Sequence, residues 1–285
     1  LQGVHPDLYD AVQILNVIPA FHNTIMPPFG EEAMEILGSV VPDILVLEGA
    51  IPSDSMKGAC IIGERDGKPV YLNDELRRLS DLNPNAAHVA VGSCATHGGI
   101  PGARGNPTGA MGLKDLLKDR TIVNLPGCPP QGEHILLTAA AVILGLPLKL
   151  DSQGRPLAFY GSLLHDECPR RGYYDSGKFA KNFSDPECLY KLGCRGPVTF
   201  ADCATRKWNG GVNFCMQAGA PCIGCFDLRF PDVMSPFYVS QDTLELDATK
   251  KFFDVLIAGT MATAAGYVAL DALGRRKKKD EEEEK

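Results

Sequence analysis

Over the first 160 positions, apolar residues come in short runs closed by glycine, proline or polar groups, with helically spaced segments between them. Residues 43–48, bounded by Pro42 and Gly49, read as a buried strand, as do 88–91 and 121–125. Asn73, ahead of Asp74, Glu75 and Leu76, reads as a capped helix start. Residues 110–118 predict a short amphipathic helix, and 131–144 a long, apolar, mostly buried one. Alternation of strand and helix predicts an α/β fold built on a parallel, doubly wound sheet. Such sheets bind ligands beyond the carboxyl ends of their strands. Here those ends carry Glu48, then Cys94 within 92–99, then Cys128 within 126–130, so both cysteines are expected to face one crevice.

After Tyr160 the pattern stops. Residues 161–240 are rich in Gly, Pro, Asp and Cys and sustain neither a 3.6-residue nor a two-residue period. Metal ligation orders such a region, because its binding energy becomes folding energy. From 241 a third segment begins. Val255 to Leu270 is 16 residues without a charge, flanked by Asp254 and Asp271 and followed by a basic cluster at 275–279 and an acidic run. That is short of the roughly 20 residues a membrane-spanning helix needs. The basic cluster nonetheless suits an anchor whose tail stays cytoplasmic while the body faces outward. Membrane contact through 252–279 is one expectation; a helix packed on a partner, in a soluble cytoplasmic protein, is the other. The organisation expected is therefore 1–160, 161–240 and 241–285.

Composition narrows the function. The chain has 285 residues, 45% of them apolar, so it can bury a core without covalent staples. Its formal charge is −7, no basic stripe interleaves with aromatics, and Trp208 is the only tryptophan, which excludes a nucleic-acid binder. Ten cysteines raise a disulfide scaffold as an option, but such scaffolds belong to short secreted chains.

The cysteines themselves carry the chemistry. His165-x2-Cys168, Cys188-x5-Cys194, Cys203, Cys215 and Cys222-x2-Cys225 place eight soft ligands within 61 residues, and they divide into two groups of four. Both groups fit the ligand count of structural zinc. Only Cys222 and Cys225 form a tight Cys-Cys knuckle, however, and ligands spread over loops suit an iron–sulfur cube. Spacing favours clusters and leaves zinc open. Cys60, in the apolar run 58–63, reads as a small buried hydrophobe.

Several motifs settle the family resemblance. They are Asp202-Cys203 with Trp208-Asn209-Gly210-Gly211, Pro221-Cys222-Ile223-Gly224-Cys225, Gly92-Ser93-Cys94-Ala95, Gly99-Ile100-Pro101, Pro126-Gly127-Cys128-Pro129-Pro130 and Ser235-Pro236-Phe237-Tyr238. In this order, across residues 1 to about 240, they resemble the small subunit of nickel–iron hydrogenases. The resemblance implies a flavodoxin-like domain followed by an irregular iron–sulfur domain. It implies electron transfer to or from a large-subunit partner that holds the nickel, with an electron acceptor such as a cytochrome or quinone-linked protein beyond.

Site residues follow by the same resemblance. His165, Cys168, Cys188 and Cys194 match distal 4Fe-4S ligands, and the neutral imidazole leaves that cluster less negative. Cys203, Cys222 and Cys225 match medial ligands. With Cys215 present the medial site resembles the four-thiolate variant of the nickel–iron–selenium branch, a 4Fe-4S rather than a 3Fe-4S cluster. Cys94 and Cys128 match two proximal ligands. The two others come in the family from an amino-terminal Cys-x2-Cys that this sequence lacks, as if a segment were missing between Gly3 and Val4. For Glu48 the resemblance implies proton traffic or a contact between subunits. The alternatives are an iron–sulfur module of another respiratory complex and a zinc-binding interaction protein.

Overall fold

The computed structural model describes residues 6–240. The apolar stretch at 252–279, the charged tail and the junction at Gly3 and Val4 lie outside the described residues. In chain order come α1 (Leu8–Leu15), α2 (Gly30–Ser39), β1 (Ile44–Glu48), β2 (Ile61–Arg65), β3 (Lys68–Tyr71), α3 (Leu72–Leu82), β4 (Ala87–Val91), α4 (Gly92–His97), α5 (Leu113–Leu116), β5 (Ile122–Leu125) and α6 (Gly132–Ile143). Beyond α6, among the described residues, only single turns of helix appear, such as Leu157–Tyr160, Arg171–Asp175 and Cys203–Arg206.

Strands β1, β4 and β5 form one parallel sheet in that order, with Val46 beside Val89 and Val89 beside Val123. Because side chains alternate across a strand, the sheet separates two cores. Leu45 and Leu47 of β1, Ala90 of β4 and Ile122 of β5 face a core closed by Met34 and Leu37 of α2, Leu76 and Leu79 of α3, and Leu113 and Leu116 of α5. Val89, Val91, Val123 and Leu125 face the other way, against Phe159, Tyr160, Leu164, Phe214 and Phe226. One face of the sheet is thus covered by helices, the other largely by the irregular part of the chain. Cys194, Cys203 and Cys222 belong to that second core. The outer edge of β5 is covered too: Asn124 N donates to Gly154 O (2.8 Å) and its side-chain amide to Gln153 O (2.7 Å).

The three strands and the α/β class agree with the hydrophobic pattern; several details differ. Helix α3 begins at Leu72, with Tyr71 at its N-cap. Asn73 is buried as the second helical residue and donates to Pro52 O and Asp54 instead, tying the helix to the loop after β1. Only Leu113–Leu116 of the expected 110–118 helix is helical, because Met111 pairs with Ile51 across a β-bridge. Helix α6 is less buried than expected: Gly132, His134 and Thr138 face inward, while Leu137 and Ile143 are exposed. The β2–β3 hairpin turns on Asp66-Gly67, both at positive φ (53° and 68°), the Asp-Gly signature of a tight hairpin.

Candidate metal centres

Three strand ends meet where Cys94 and Cys128 sit. Ser93 N donates to Gly127 O (2.9 Å), and Gly127 N to Ser93 Oγ (3.2 Å), which locks the loops after β4 and β5 together. Ser93 Oγ in turn donates to Cys225 O (3.1 Å), and His97 Nε2 to Phe230 O (2.9 Å), joining both loops to the irregular part. Glycine is required at two points here. A Cβ on Gly99 (φ 51°) would fall 2.8 Å from Cys94 N, and one on Gly127 (φ 150°) 2.7 Å from Pro130 Cα. Burial raises the Cys94 pKa, and the negative charges of Cys128 and Glu48 add to it, so the three groups are near neighbours. Glu48 itself lies exposed at the end of β1.

His165, Cys168, Cys188 and Cys194 line a single small cavity walled by Leu189 and Met216 among others. His165 is 9% exposed, and its Nε2 is buried without any hydrogen-bond partner. Such an atom is costly unless something absent from the chain engages it. Burial also lowers the His165 pKa, which keeps the imidazole neutral, the form that ligates metal. Each thiol meets a backbone N–H two residues on. Arg170 N favours the Cys168 thiolate, Tyr190 N that of Cys188, and Gly196 N that of Cys194. Burial is the larger effect and pushes Cys194 up to about 11. Left as thiols, these groups would waste their donors; held as thiolates by a cation, they use them. Aromatic edges close the outside, with Tyr174 perpendicular to His165 at 4.6 Å and to Tyr190 at 5.4 Å.

Cys203, Cys215, Cys222 and Cys225 form the next group. Burial raises all four, Cys225 to about 12; Cys203 is raised further by Cys225 and Cys215, and Cys222 by Cys194, Cys225 and Cys203. Gly224 N donates to Cys222 Sγ (3.3 Å), the same two-residue spacing again. Cys215 is the solvent-exposed member, although enough protein surrounds its thiol to raise its pKa. Two couplings link the sets as a chain of sulfur neighbours: Cys194 is near enough to raise Cys222, and Cys128 to raise Cys225. All ten cysteines are free thiols. Cys60 stands apart, half-buried, its pKa raised by burial alone. Among the described residues no three His, Cys, Asp or Glu side chains converge tightly enough to grip a single ion. The spread donor set fits a multi-iron cube better than zinc, whose sulfurs stand about 2.3 Å from the metal.

Sequence reasoning missed the buried support. His134, fully buried on α6, donates from Nε2 to Asp202 Oδ1 (2.8 Å) beside Cys203. Its Nδ1 faces the Tyr160 hydroxyl at 3.2 Å, and that hydroxyl donates to Pro126 O near Cys128 (3.1 Å). Arg206 bonds Asp202 and Glu133 at once. Burial pushes the Asp202 carboxyl up, but bonds and charges from His134 and Arg206 more than offset it and leave the pKa lowered. A histidine in an otherwise apolar helical stretch was the one available signal.

Residues 160–238 match the family described as the C-terminal part of the NiFe/NiFeSe hydrogenase small subunit. Over 85% of its length the chain is 41% identical to the periplasmic [NiFeSe] hydrogenase small subunit of Desulfomicrobium baculatum, of which it covers 82%. It belongs to the nickel–iron hydrogenase small-subunit family. Residues 1–142 also match the family of the 20 Kd subunit of NADH ubiquinone oxidoreductase. The Hydrogenase-2 small chain of Escherichia coli is 32% identical over 98% of this chain and 80% of its own length. That alignment runs over 308 positions, more than the 285 residues here, so the relative carries residues without a counterpart. The crystal structure of the reduced, active Ni-Fe-Se hydrogenase from Desulfomicrobium baculatum superposes with a TM-score of 0.76 at 39% identity, covering 83% of this chain and 91% of that one. Members of this family are the electron-transfer subunits of heteromeric hydrogenases, oxidoreductases completed by a large subunit. Among the described residues no helix is long and apolar enough to cross a membrane.

Proposed function

We propose that this chain relays electrons for a nickel–iron hydrogenase, through iron–sulfur centres held along its series of neighbouring sulfurs. His165, Cys168, Cys188 and Cys194 would hold a distal 4Fe-4S centre. Cys203, Cys215, Cys222 and Cys225 would hold a medial one, the fourth thiolate favouring 4Fe-4S over 3Fe-4S. Cys94 and Cys128 supply two ligands of a proximal centre; the two absent ones fall, in this proposal, in the stretch that relatives carry in excess. Bound clusters supply one-electron redox chemistry. The chain's own residues supply the rest: backbone N–H groups steady Cys168, Cys188, Cys194 and Cys222, the aromatic edges beside His165 limit water, and the His134–Asp202 bond holds the chain beside Cys203.

The observation that carries this proposal is the convergence of His165, with its orphaned Nε2, and three thiols on one cavity. Residues 1–160 would act as the flavodoxin-like domain and 161–240 as the cluster domain. Glu48, at the crevice mouth, would serve proton traffic or contact with the large subunit. The periplasmic relative supports an extracytoplasmic site, with 252–279 as membrane contact and a cytochrome or quinone-linked protein as acceptor. A second reading, a module of another respiratory complex, draws on the match of residues 1–142.

Purification of the complex from native cells, with iron, sulfide and nickel assays and EPR, tests the proposal. Equal iron and sulfide with nickel in a larger partner are expected. A brown protein without nickel favours the second reading, an oxidised 3Fe-4S signal from anaerobic protein overturns the medial assignment, and colourless zinc protein overturns the whole.

A further inference from the structure

Arg195 is 3% exposed. Its Nε donates to Met234 O (3.0 Å) and an Nη to Pro236 O (2.9 Å), and among the described residues no carboxylate pairs with it. Elsewhere in the irregular part Asp202 has His134 and Arg206, and Arg206 also has Glu133, while Arg170, beside Cys168 and Cys188, donates to the Asp185 and Glu187 carbonyls. A guanidinium stays ionised at any working pH. Carbonyl dipoles satisfy its protons but leave its net charge uncompensated away from water.

The position of that charge is specific. Arg195 follows Cys194 of the distal set directly, and its own amide donates to Cys222 O of the medial set (2.7 Å). Its Cβ lies 3.4 Å from where a side chain on Gly224, between Cys222 and Cys225, would begin. Its backbone and Cβ therefore stand where the two ligand sets meet, one side-chain length from the guanidinium held by Met234 O and Pro236 O. A cube held by three or four thiolates is net negative, and more so by one unit after gaining an electron.

We propose that Arg195 is the shared counter-charge of the distal and medial centres, a positioning residue for charge that raises both reduction potentials. The proposal rests on the cubes assigned above. A fixed positive charge in a poorly solvated interior favours the form with one more negative charge, which is the reduced one. It acts on both centres together, so both shift in the same direction.

The test uses the intact hydrogenase complex carrying Arg195→Lys or Arg195→Gln. Iron and sulfide are assayed first, then each centre is titrated electrochemically with EPR detection. In R195Q the reduction equilibrium constant should fall at least tenfold at both centres, about 59 mV for a one-electron couple. In R195K, which keeps the charge but not the planar fork, both should stay within about threefold of the parent, well under that same tenfold step. Unchanged potentials in fully loaded R195Q overturn the proposal while leaving the cubes in place. Equal shifts in both variants also overturn it, because they trace to the lost hold on Met234 and Pro236. If R195Q loses its iron, R195K decides: retained potentials support the proposal and a tenfold change refutes it. A parent complex without two cubane signals sinks the relay itself, and this proposal with it.

Discussion

The two faces of the sheet are closed by different means. On one, Leu45, Leu47, Ala90 and Ile122 meet Met34, Leu76 and Leu113, aliphatic side chains on regular helices. On the other, Val91 and Leu125 meet a region with only single helical turns, where Phe159, Tyr160 and Phe226 share the core with Cys194, Cys203 and Cys222. The first core is closed mainly by burial of apolar area, with Glu75, His88 and the unpartnered Asn73 Oδ1 buried at its margins. The second also buries Arg195, Asp202 and an unpartnered His165 nitrogen, groups that burial alone penalises. The contrast teaches that regular helices close one face mainly by apolar packing, while the irregular half gathers its soft ligands into the core itself.

Removing the iron should break the symmetry most strongly. After chelation under oxidising conditions, amides in 161–238 are expected to lose protection in hydrogen exchange while those of β1 and β4 keep most of theirs. Equal retention in both halves would erase the distinction. A substitution at the seam comes next. His134→Ala deletes one partner of a buried pair next to Cys203 and should cost about 3 kcal/mol, with a disturbed medial EPR signal; a loss without any spectral change would show that the seam does not reach the centre. Leu125→Ala opens a cavity at a fully buried position and should cost about 2–5 kcal/mol in urea unfolding at full iron content. Loss of iron instead would mean that the two cores are one.

The smallest effect belongs to the surface of the helical half. Hydrogen bonds from Arg77 and Asn73 hold the Asp54 carboxyl down to about 2. A depressed carboxylate stabilises the fold above its unfolded value, near 3.9, and loses that contribution as pH falls toward 2. The pair is largely exposed, so solvent screening limits it to under about 1 kcal/mol. The difference in unfolding midpoint between the parent and Asp54→Asn should accordingly be small at pH 6 and shrink below pH 4; a difference that grows with acid would contradict the assignment.

Much of the helical half was legible beforehand because its signals are local. Short apolar runs at 43–48, 88–91 and 121–125 marked the three strands of the parallel sheet to within a residue or two. The Asp66-Gly67 turn was equally local and was overlooked. Asn73 misled because its side chain satisfied a distant loop rather than its own helix end. At the candidate site, the ligand residues announced themselves by type and spacing, whereas His134 and Arg195 did not. Nothing near His134 in the chain reveals that Asp202 lies beside it, 68 positions away.

Residue type and spacing alone determined the α/β alternation, the two sets of soft ligands and the family motifs, because each depends on neighbours within a few positions. Tertiary structure alone decided that Cys222 lies near Cys194 and Cys225 near Cys128, that His165 Nε2 is orphaned, and that the Arg195 guanidinium, among the described residues, meets carbonyls and no carboxylate. Those facts depend on segments distant in sequence being brought together out of water, where an unmatched charge or donor becomes costly.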